Sequence, residues 1–224
     1  MSSHVRRSSL SGLYVILDAN ALRARSLVEA LNEAAAGGAR LFQYRDKAAT
    51  ARDAYRCAAE LRRAAADAGA LFLVNDRCDL ALAVDADGVH LGQDDVPLPL
   101  ARAIMGPDKV IGISTHTPAH VTDATDQGAD YLGFGPVFPT GTKPDHESVV
   151  GMEGLAGIRQ LTPLPVFAIG GVTLETAGAV MAAGADGVAV ISAVWSSSDI
   201  PGTVRQFIAC VRQNHRPILE RSDR

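Results

Sequence analysis

The chain has 224 residues, 47% of them hydrophobic and 21% charged, which fits one globular domain able to bury a sizeable core. Its formal net charge of −4 and pI near 5.8 argue against a nucleic-acid partner, because no basic stripe is on offer and any anionic ligand must be held locally. Cys57, Cys78 and Cys210 form no disulfide or zinc pattern, and neither a membrane span nor a signal-peptide core is present, so a reducing cytoplasm and no membrane partner are expected.

Residues 1–11, with Arg6 and Arg7, read as a flexible, solvated N-terminal tail. A first strand is predicted over 13–17, followed by Asp18-Ala19-Asn20, a helix over 26–36 and the helix-ending Gly37-Gly38. A second strand (41–44) leads into a helix over 51–68 closed by Gly69, and a third (71–74) into a weak helix over 79–84. Strands over 88–91 and 110–114 precede helices over 97–105 and 118–126. The punctuation Gly128-Ala129-Asp130 introduces a strand over 131–134, and Gly184-Ala185-Asp186 introduces the last one, over 187–191. Helices over 151–160, 174–183 and 199–212 and a strand over 166–169 complete the series, and 216–224, with Arg216 and Arg221, reads as a second tail.

Each strand is a short apolar, β-branched run of the kind buried on both faces. Eight β-then-α units between 12 and 215 predict a single α/β domain, a closed parallel (β/α)₈ TIM barrel, because right-handed crossovers place every helix outside. The competitor is an open doubly wound sheet, which often carries a Gly-rich turn after its first strand, and Asp18-Ala19-Asn20 lacks one.

In such a barrel the polar residues that directly follow each strand form the site. Strand alternation sends Gln43, Arg45 and Lys47 of Gln43-Tyr44-Arg45-Asp46-Lys47 to one side, an amide and two cations suited to gripping a diphosphate. Asn75-Asp76 and Gln93-Asp94-Asp95 put carboxylates on neighbouring strand ends, a donor set that suits Mg²⁺ with water and phosphate completing its shell. Asp76 equally fits as a cap for the following helix, and spacing does not separate Asp94 from Asp95. Ser114 offers a hydroxyl to a phosphate or a ring nitrogen, and His90 and His116 suit either a base or a hydrogen-bonded packing role. The connection after the sixth strand is long for a βα loop, and its Thr140-Gly141-Thr142-Lys143 reads as a phosphate grip. Gly170-Gly171 and Ile191-Ser192 end the seventh and eighth strands, where barrels commonly bind phosphate through backbone N–H groups.

In combination and order, Gln43 to Lys47, Asn75-Asp76-Arg77, Gly88 to Asp95, Thr140 to Lys143 and Ala168 to Gly171 resemble the thiamine phosphate synthase family over nearly the whole chain. The resemblance implies condensation of 4-amino-2-methyl-5-hydroxymethylpyrimidine diphosphate with 4-methyl-5-(2-hydroxyethyl)thiazole phosphate, or its carboxylated form, with release of diphosphate. It further implies pyrimidine diphosphate contacts at Gln43, Tyr44, Arg45, Asp46, Lys47, Asn75, Ser114 and Lys143, with Arg45, Lys47, Ser114 and Lys143 at the reacting centre. Asp76 and Asp95 would hold Mg²⁺, and Thr140, Gly141, Thr142, Gly171, Ile191 and Ser192 the thiazole phosphate. Two other readings stand beside it: a thiazole tautomerase, which would need neither the carboxylates nor a second anion clamp, and a non-catalytic phosphate-binding barrel. The oligomeric state is open, a homo-oligomer included.

Overall fold

A computed structural model describes residues 10–22, 25–141 and 148–214. Eight parallel strands close in sequence order: β1 (Gly12–Asp18), β2 (Leu41–Arg45), β3 (Leu71–Asn75), β4 (Gly88–Leu91), β5 (Val110–Thr115), β6 (Tyr131–Phe134), β7 (Val166–Ile169) and β8 (Gly187–Val190). The seam is the β1–β8 pairing, in which Gly12 to Val15 lie opposite Gly187 to Val190. The predicted (β/α)₈ barrel is therefore the fold, and the strands are buried nearly end to end because helices cover them outside and their own side chains fill the inside.

The helices are α1 (Leu27–Ala36), α2 (Ala51–Asp67), α3 (Cys78–Ala83), α4 (Leu98–Met105), α5 (Pro118–Asp126), α6 (Gly151–Ile158), α7 (Leu174–Ala182), α8 (Ser192–Trp195) and α9 (Ile200–Asn214). Local chemistry starts several of them. Ser26, Thr50 and Thr117 accept the backbone N–H groups of Glu29, Asp53 and His120, and Thr173 opens α7 with a capping box. In α2 the buried residues Ala54, Ala58, Leu61 and Ala65 recur at helical spacing, a narrow small-residue stripe that lets the helix lie close to the barrel.

A three-fold device closes the amino end of the barrel. Asp87, Asp130 and Asp186 each precede an even-numbered strand and accept a backbone N–H from the preceding odd one, from Phe72, Ile111 and Val166 at 3.0, 2.8 and 2.9 Å. Each also meets an arginine from the helical segment that precedes that odd strand: Arg62 at 3.6 Å, Arg102 at 2.6 Å and Arg159 at 2.7 Å. Buried carboxylates thereby obtain both a counter-charge and a hydrogen bond, the condition under which burial is tolerated.

Differences from expectation are small. Leu10, expected in the N-terminal tail, is buried in the core. The helix expected to run to 160 tightens after Ile158 into a 3₁₀ turn, Arg159–Leu161. The strand expected to end at 191 stops at Val190, where the chain turns directly into the short α8, whose Trp195 Nε1 donates to Ile16 O at 2.7 Å and ties it to β1.

Candidate active site

At the carboxyl ends of the strands lies a cavity of about 1090 Å³. Arg45, from the end of β2, lines it, and its Nη1 donates to Asp18 Oδ2 at the end of β1. Asp18 also accepts the N–H groups of Asn20 and Ala21 at 3.0 Å, so the carboxylate is fixed and holds the guanidinium in place. Asp46 lines the cavity and folds the next turn by accepting from Ala48 and Ala49 at 3.0 Å. Lys47 is largely exposed, with its Nζ 3.3 Å from Asp76 Oδ2.

Asp76 does not cap α3: the residue preceding that helix is Arg77, which makes no side-chain cap bond. Instead Asp76 sits at φ 63°, a left-handed conformation that an Asp tolerates better than most residues, with its N–H donating to His90 O at 2.8 Å. That backbone turn brings its carboxyl to Asp95. Burial first, then the hydrogen bond and charge of Asp95, push Asp76 above the usual carboxylate range, and Lys47 pulls it back only in part. Asp95 is fixed by the N–H of Gly92, which it accepts at 2.7 Å, while Asp94 lines the same cavity without that partner. The pair is a fit for a hard divalent cation, because proximity of two carboxylates costs least when a cation lies between them. No cluster of three or more His, Cys, Asp or Glu side chains suited to a metal occurs among the described residues. Two protein carboxylates with remaining positions left to water and phosphate is the habit of Mg²⁺.

Asn75 and Ser114 also line the cavity. Beneath Ser114 runs a buried polar chain across the barrel interior. Gln43 Nε2 donates to Tyr14 Oη at 2.5 Å, Tyr14 Oη meets Tyr131 Oη at 2.9 Å, Tyr131 Oη meets His90 Nδ1 at 2.8 Å, and His90 Nε2 meets Ser114 Oγ at 2.9 Å. Burial drives both tyrosines well above their ordinary range, so they stay protonated. Gly112 makes room for the chain, since a Cβ there would lie 2.0 Å from the Tyr131 ring.

Across the cavity are Thr140, Gly141, Gly170, Gly171, Ile191 and Ser192. Gly170 and Gly171 have φ of 90° and 63°, and a Cβ on either would collide with Pro136 or Pro139, so only glycine fits this close approach of the β6 and β7 loops. The loops are held together by Val137 and Phe138, whose N–H groups donate to Ile169 O and Gly170 O at 2.9 and 3.0 Å.

The structure thus gathers Arg45, Asp46, Lys47, Asn75, Asp76, Asp95, Ser114, Thr140, Gly141, Gly171, Ile191 and Ser192 around one mouth. Gln43 and His90 lie below its floor, both buried, and Gln43 reaches Ser114 only through the tyrosines and His90. Tyr44 differs from the expected contact role: alternation turns its side chain outward, where its hydroxyl meets Cys57 of α2 and Asp46, and it is not among the residues that line the mouth. Thr142 and Lys143 lie outside the described residues. His116 lines the cavity and donates from Nδ1 to Gly135 O at 2.6 Å, which fixes its tautomer. Sequence reasoning did not pick out Asp18, Asn20, Thr173 or Ser196 as cavity residues; Asp18 ends β1 and Asn20 and Thr173 lie in the connections after β1 and β7, the position that marks barrel sites, whereas Ser196 follows the short α8 and carries no such signal.

A barrel whose carboxyl mouth joins cations, a carboxyl pair, a hydroxyl and a glycine-lined cradle is an enzyme fold arranged for phosphorylated small molecules. Residues 13–194 match the family described as thiamine monophosphate synthase. The thiamine-phosphate synthase of Chloroflexus aurantiacus is 48% identical over 199 residues, covering 89% of this chain and 92% of that one. The thiamine-phosphate synthase of Methanospirillum hungatei is 48% identical over 196 residues, covering 88% and 95%. The structure of thiamine phosphate pyrophosphorylase from Pyrococcus furiosus superposes with a TM-score of 0.84 at 41% identity, covering 93% of this chain and 98% of that one. The chain belongs to the thiamine monophosphate synthase family, and it is a transferase.

Proposed function

We propose that the chain joins 4-amino-2-methyl-5-hydroxymethylpyrimidine diphosphate to 4-methyl-5-(2-hydroxyethyl)thiazole phosphate, or its carboxylated form, releasing diphosphate. The observation that carries this reading is the meeting of Arg45, Lys47, Asn75 and the Asp76–Asp95 pair at the same mouth as Gly170, Gly171, Ile191 and Ser192. One half suits a leaving diphosphate and the other a phosphate monoester. The aminopyrimidine stabilises a benzylic-type cation as its C–O bond to diphosphate breaks, so no strong base is required. Arg45, Lys47 and Lys143 neutralise the charge that develops on the departing group, which is electrostatic stabilisation of a dissociative transition state. Ser114 orients the pyrimidine, and Thr140, Gly141, Thr142, Gly171, Ile191 and Ser192 hold the thiazole phosphate so that its ring nitrogen lies next to the cation.

The described lining contains five carboxylates, Asp18, Asp46, Asp76, Asp94 and Asp95, against the two cations Arg45 and Lys47. A polyanion would meet net repulsion there, which supports Mg²⁺ as a cofactor held by Asp76 and Asp95. When bound, the ion supplies positive charge to the diphosphate oxygens. Gln43 enters this reading through Ser114, Asp46 through the turn that positions Lys47, and Tyr44 through its hydroxyl contact with Asp46. The free Cys57, Cys78 and Cys210 support a reducing, cytoplasmic setting, and no helix among the described residues is long and apolar enough to cross a membrane.

An assay of diphosphate release tests the reading. Release coupled to thiamine phosphate formation, dependent on both substrates and Mg²⁺, is expected. Isomerisation of the thiazole phosphate without any pyrimidine would point to a tautomerase, and binding of both substrates without turnover to a non-catalytic barrel.

A further inference from the structure

Counting protons leaves the buried chain from Gln43 to Ser114 two directions, and the Gln43 amide, with Nε2 on Tyr14, selects one of them. A phenol carries one hydroxyl hydrogen, a neutral imidazole one N–H, and a serine one O–H. Gln43 Nε2 donates to Tyr14 Oη. Tyr14 therefore directs its own hydrogen to Tyr131, its other polar partner, at 2.9 Å. Tyr131, having accepted that bond, directs its hydrogen to His90 Nδ1 at 2.8 Å. A neutral His90 that accepts at Nδ1 carries its proton on Nε2, which donates to Ser114 Oγ at 2.9 Å. Ser114, its inward contact already satisfied as an acceptor, has its own hydrogen left for the cavity that it lines.

We propose that Tyr14, Tyr131 and His90 are positioning residues that set the polarity of the Ser114 hydroxyl, presenting it to the cavity as a donor to a ring nitrogen of the pyrimidine. This rests on the proposed function, in which the pyrimidine lies beside Ser114. In the mirror arrangement Gln43 Oε1 accepts, every bond runs the other way, and Ser114 spends its hydrogen on His90. It would then offer the cavity an acceptor, which suits the exocyclic amino group and repels a ring nitrogen's lone pair. The chain thus acts as a selector of which edge of the heterocycle faces Ser114. Its buried position supports a fixed polarity, because a mixture of directions would leave two donors or two acceptors facing each other at one link. Ser114 is anchored from the other side as well, since Gln93 Nε2 donates to its backbone O at 2.6 Å.

Two measurements on the full-length chain decide the matter. In protein labelled with ¹⁵N-histidine, the His90 ring signals are assigned by their loss in His90→Gln. Protonation at Nε2 alone is expected at neutral pH, whereas protonation at Nδ1 alone or at both nitrogens overturns the proposal. In kinetics, Tyr131→Phe should lower kcat/KM for the pyrimidine diphosphate about tenfold, the scale of one hydrogen bond, with KM for the thiazole phosphate unchanged. A pyrimidine diphosphate carrying C–H in place of the ring nitrogen should be a poor substrate for the wild type and lose nothing further in Tyr131→Phe or Ser114→Ala. Equal fractional losses on both pyrimidines would show a merely structural effect and overturn it. Nε2 protonation combined with undiminished discrimination in Ser114→Ala would remove Ser114 from the pyrimidine and sink the placement on which the proposal rests. Nδ1 protonation with discrimination lost in that variant would sink the relay and keep the placement.

Discussion

At the scale of single residues, Arg45 and Asp76 carry the most weight, and each is held by a partner that makes its substitution readable. Arg45 is fixed by Asp18, which in turn is fixed by two backbone N–H groups, so the guanidinium is aimed before any ligand arrives. Arg45→Ala, and likewise Lys143→Ala, should lower kcat/KM by about a hundredfold or more, the loss expected from one electrostatic donor in a transition state. Steady-state kinetics check this, and near wild-type rates would remove these residues from catalysis. Because Arg45→Ala strands a buried Asp18, the double variant Arg45→Ala/Asp18→Asn separates folding from chemistry. It should regain stability and stay inactive.

Asp76 makes the opposite trade. Its carboxyl lies above the usual range in the folded chain, chiefly through burial and then through Asp95. A group raised in this way favours folding most when protonated, below its unfolded value, and that contribution is lost as pH rises through the folded value. Neutral pH lies beyond the unfolded value, so the pairing with Asp95 is a cost to the metal-free fold. Asp76→Asn, which also suits the left-handed backbone at this position, should raise the Tm of metal-free protein at neutral pH while abolishing activity. Thermal melts across pH should show the gain shrinking on acidification, and a lower Tm at neutral pH would contradict the account.

At the scale of elements, stability and chemistry sit at opposite ends of the strands. Asp130 is buried, ties β5 to β6 through the N–H of Ile111 and pairs with Arg102 of α4. Asp130→Ala should cost about 3–5 kcal/mol, the usual penalty for breaking a buried pair, with kcat/KM of the folded fraction unchanged. Denaturant unfolding and kinetics on the same sample test both halves. Within the strands, Gly112→Ala would drive a Cβ into the Tyr131 ring and should cost about 1–3 kcal/mol by overpacking, with loss of Ser114 orientation as well.

Much of the fold was legible in the chain because the barrel repeats one grammar. Doubly buried strands give plain apolar runs, and Gly-Ala-Asp marks where β6 and β8 begin. What stayed hidden involves partners distant in sequence. Tyr14 and Tyr131 read as strand hydrophobes, yet their hydroxyls meet across 117 positions. The Asp18–Arg45 pair and the choice of Asp95 over Asp94 as the partner of Asp76 depend on how neighbouring strand ends are placed, which no local pattern encodes, whereas the outward turn of Tyr44 follows from the same alternation that sends Gln43 and Arg45 to the other side. The short α8 follows β8 without a loop, so Ile191-Ser192 looks like continued strand.

At the scale of the whole molecule, the barrel has two openings of different character. The carboxyl mouth holds carboxylates in excess of cations among its described lining residues, and in the proposed reading a divalent cation would offset most of that excess for a seated diphosphate. The amino end carries a second cavity, of about 790 Å³, where Arg40, Arg62 and Arg212 face Asp87. On charge alone that end would be the better home for a diphosphate, yet Arg40 and Arg62 are bound to backbone carbonyls and serve the closure of the barrel. The two ends therefore make competing claims on the same ligand. A crystal structure of the protein with Mg²⁺ and diphosphate compares them directly. The account predicts diphosphate at the carboxyl mouth, contacting Arg45 and Lys47, with Mg²⁺ touching both Asp76 and Asp95. Diphosphate seated among Arg40, Arg62 and Arg212, or Mg²⁺ bound away from those two carboxylates, would contradict it.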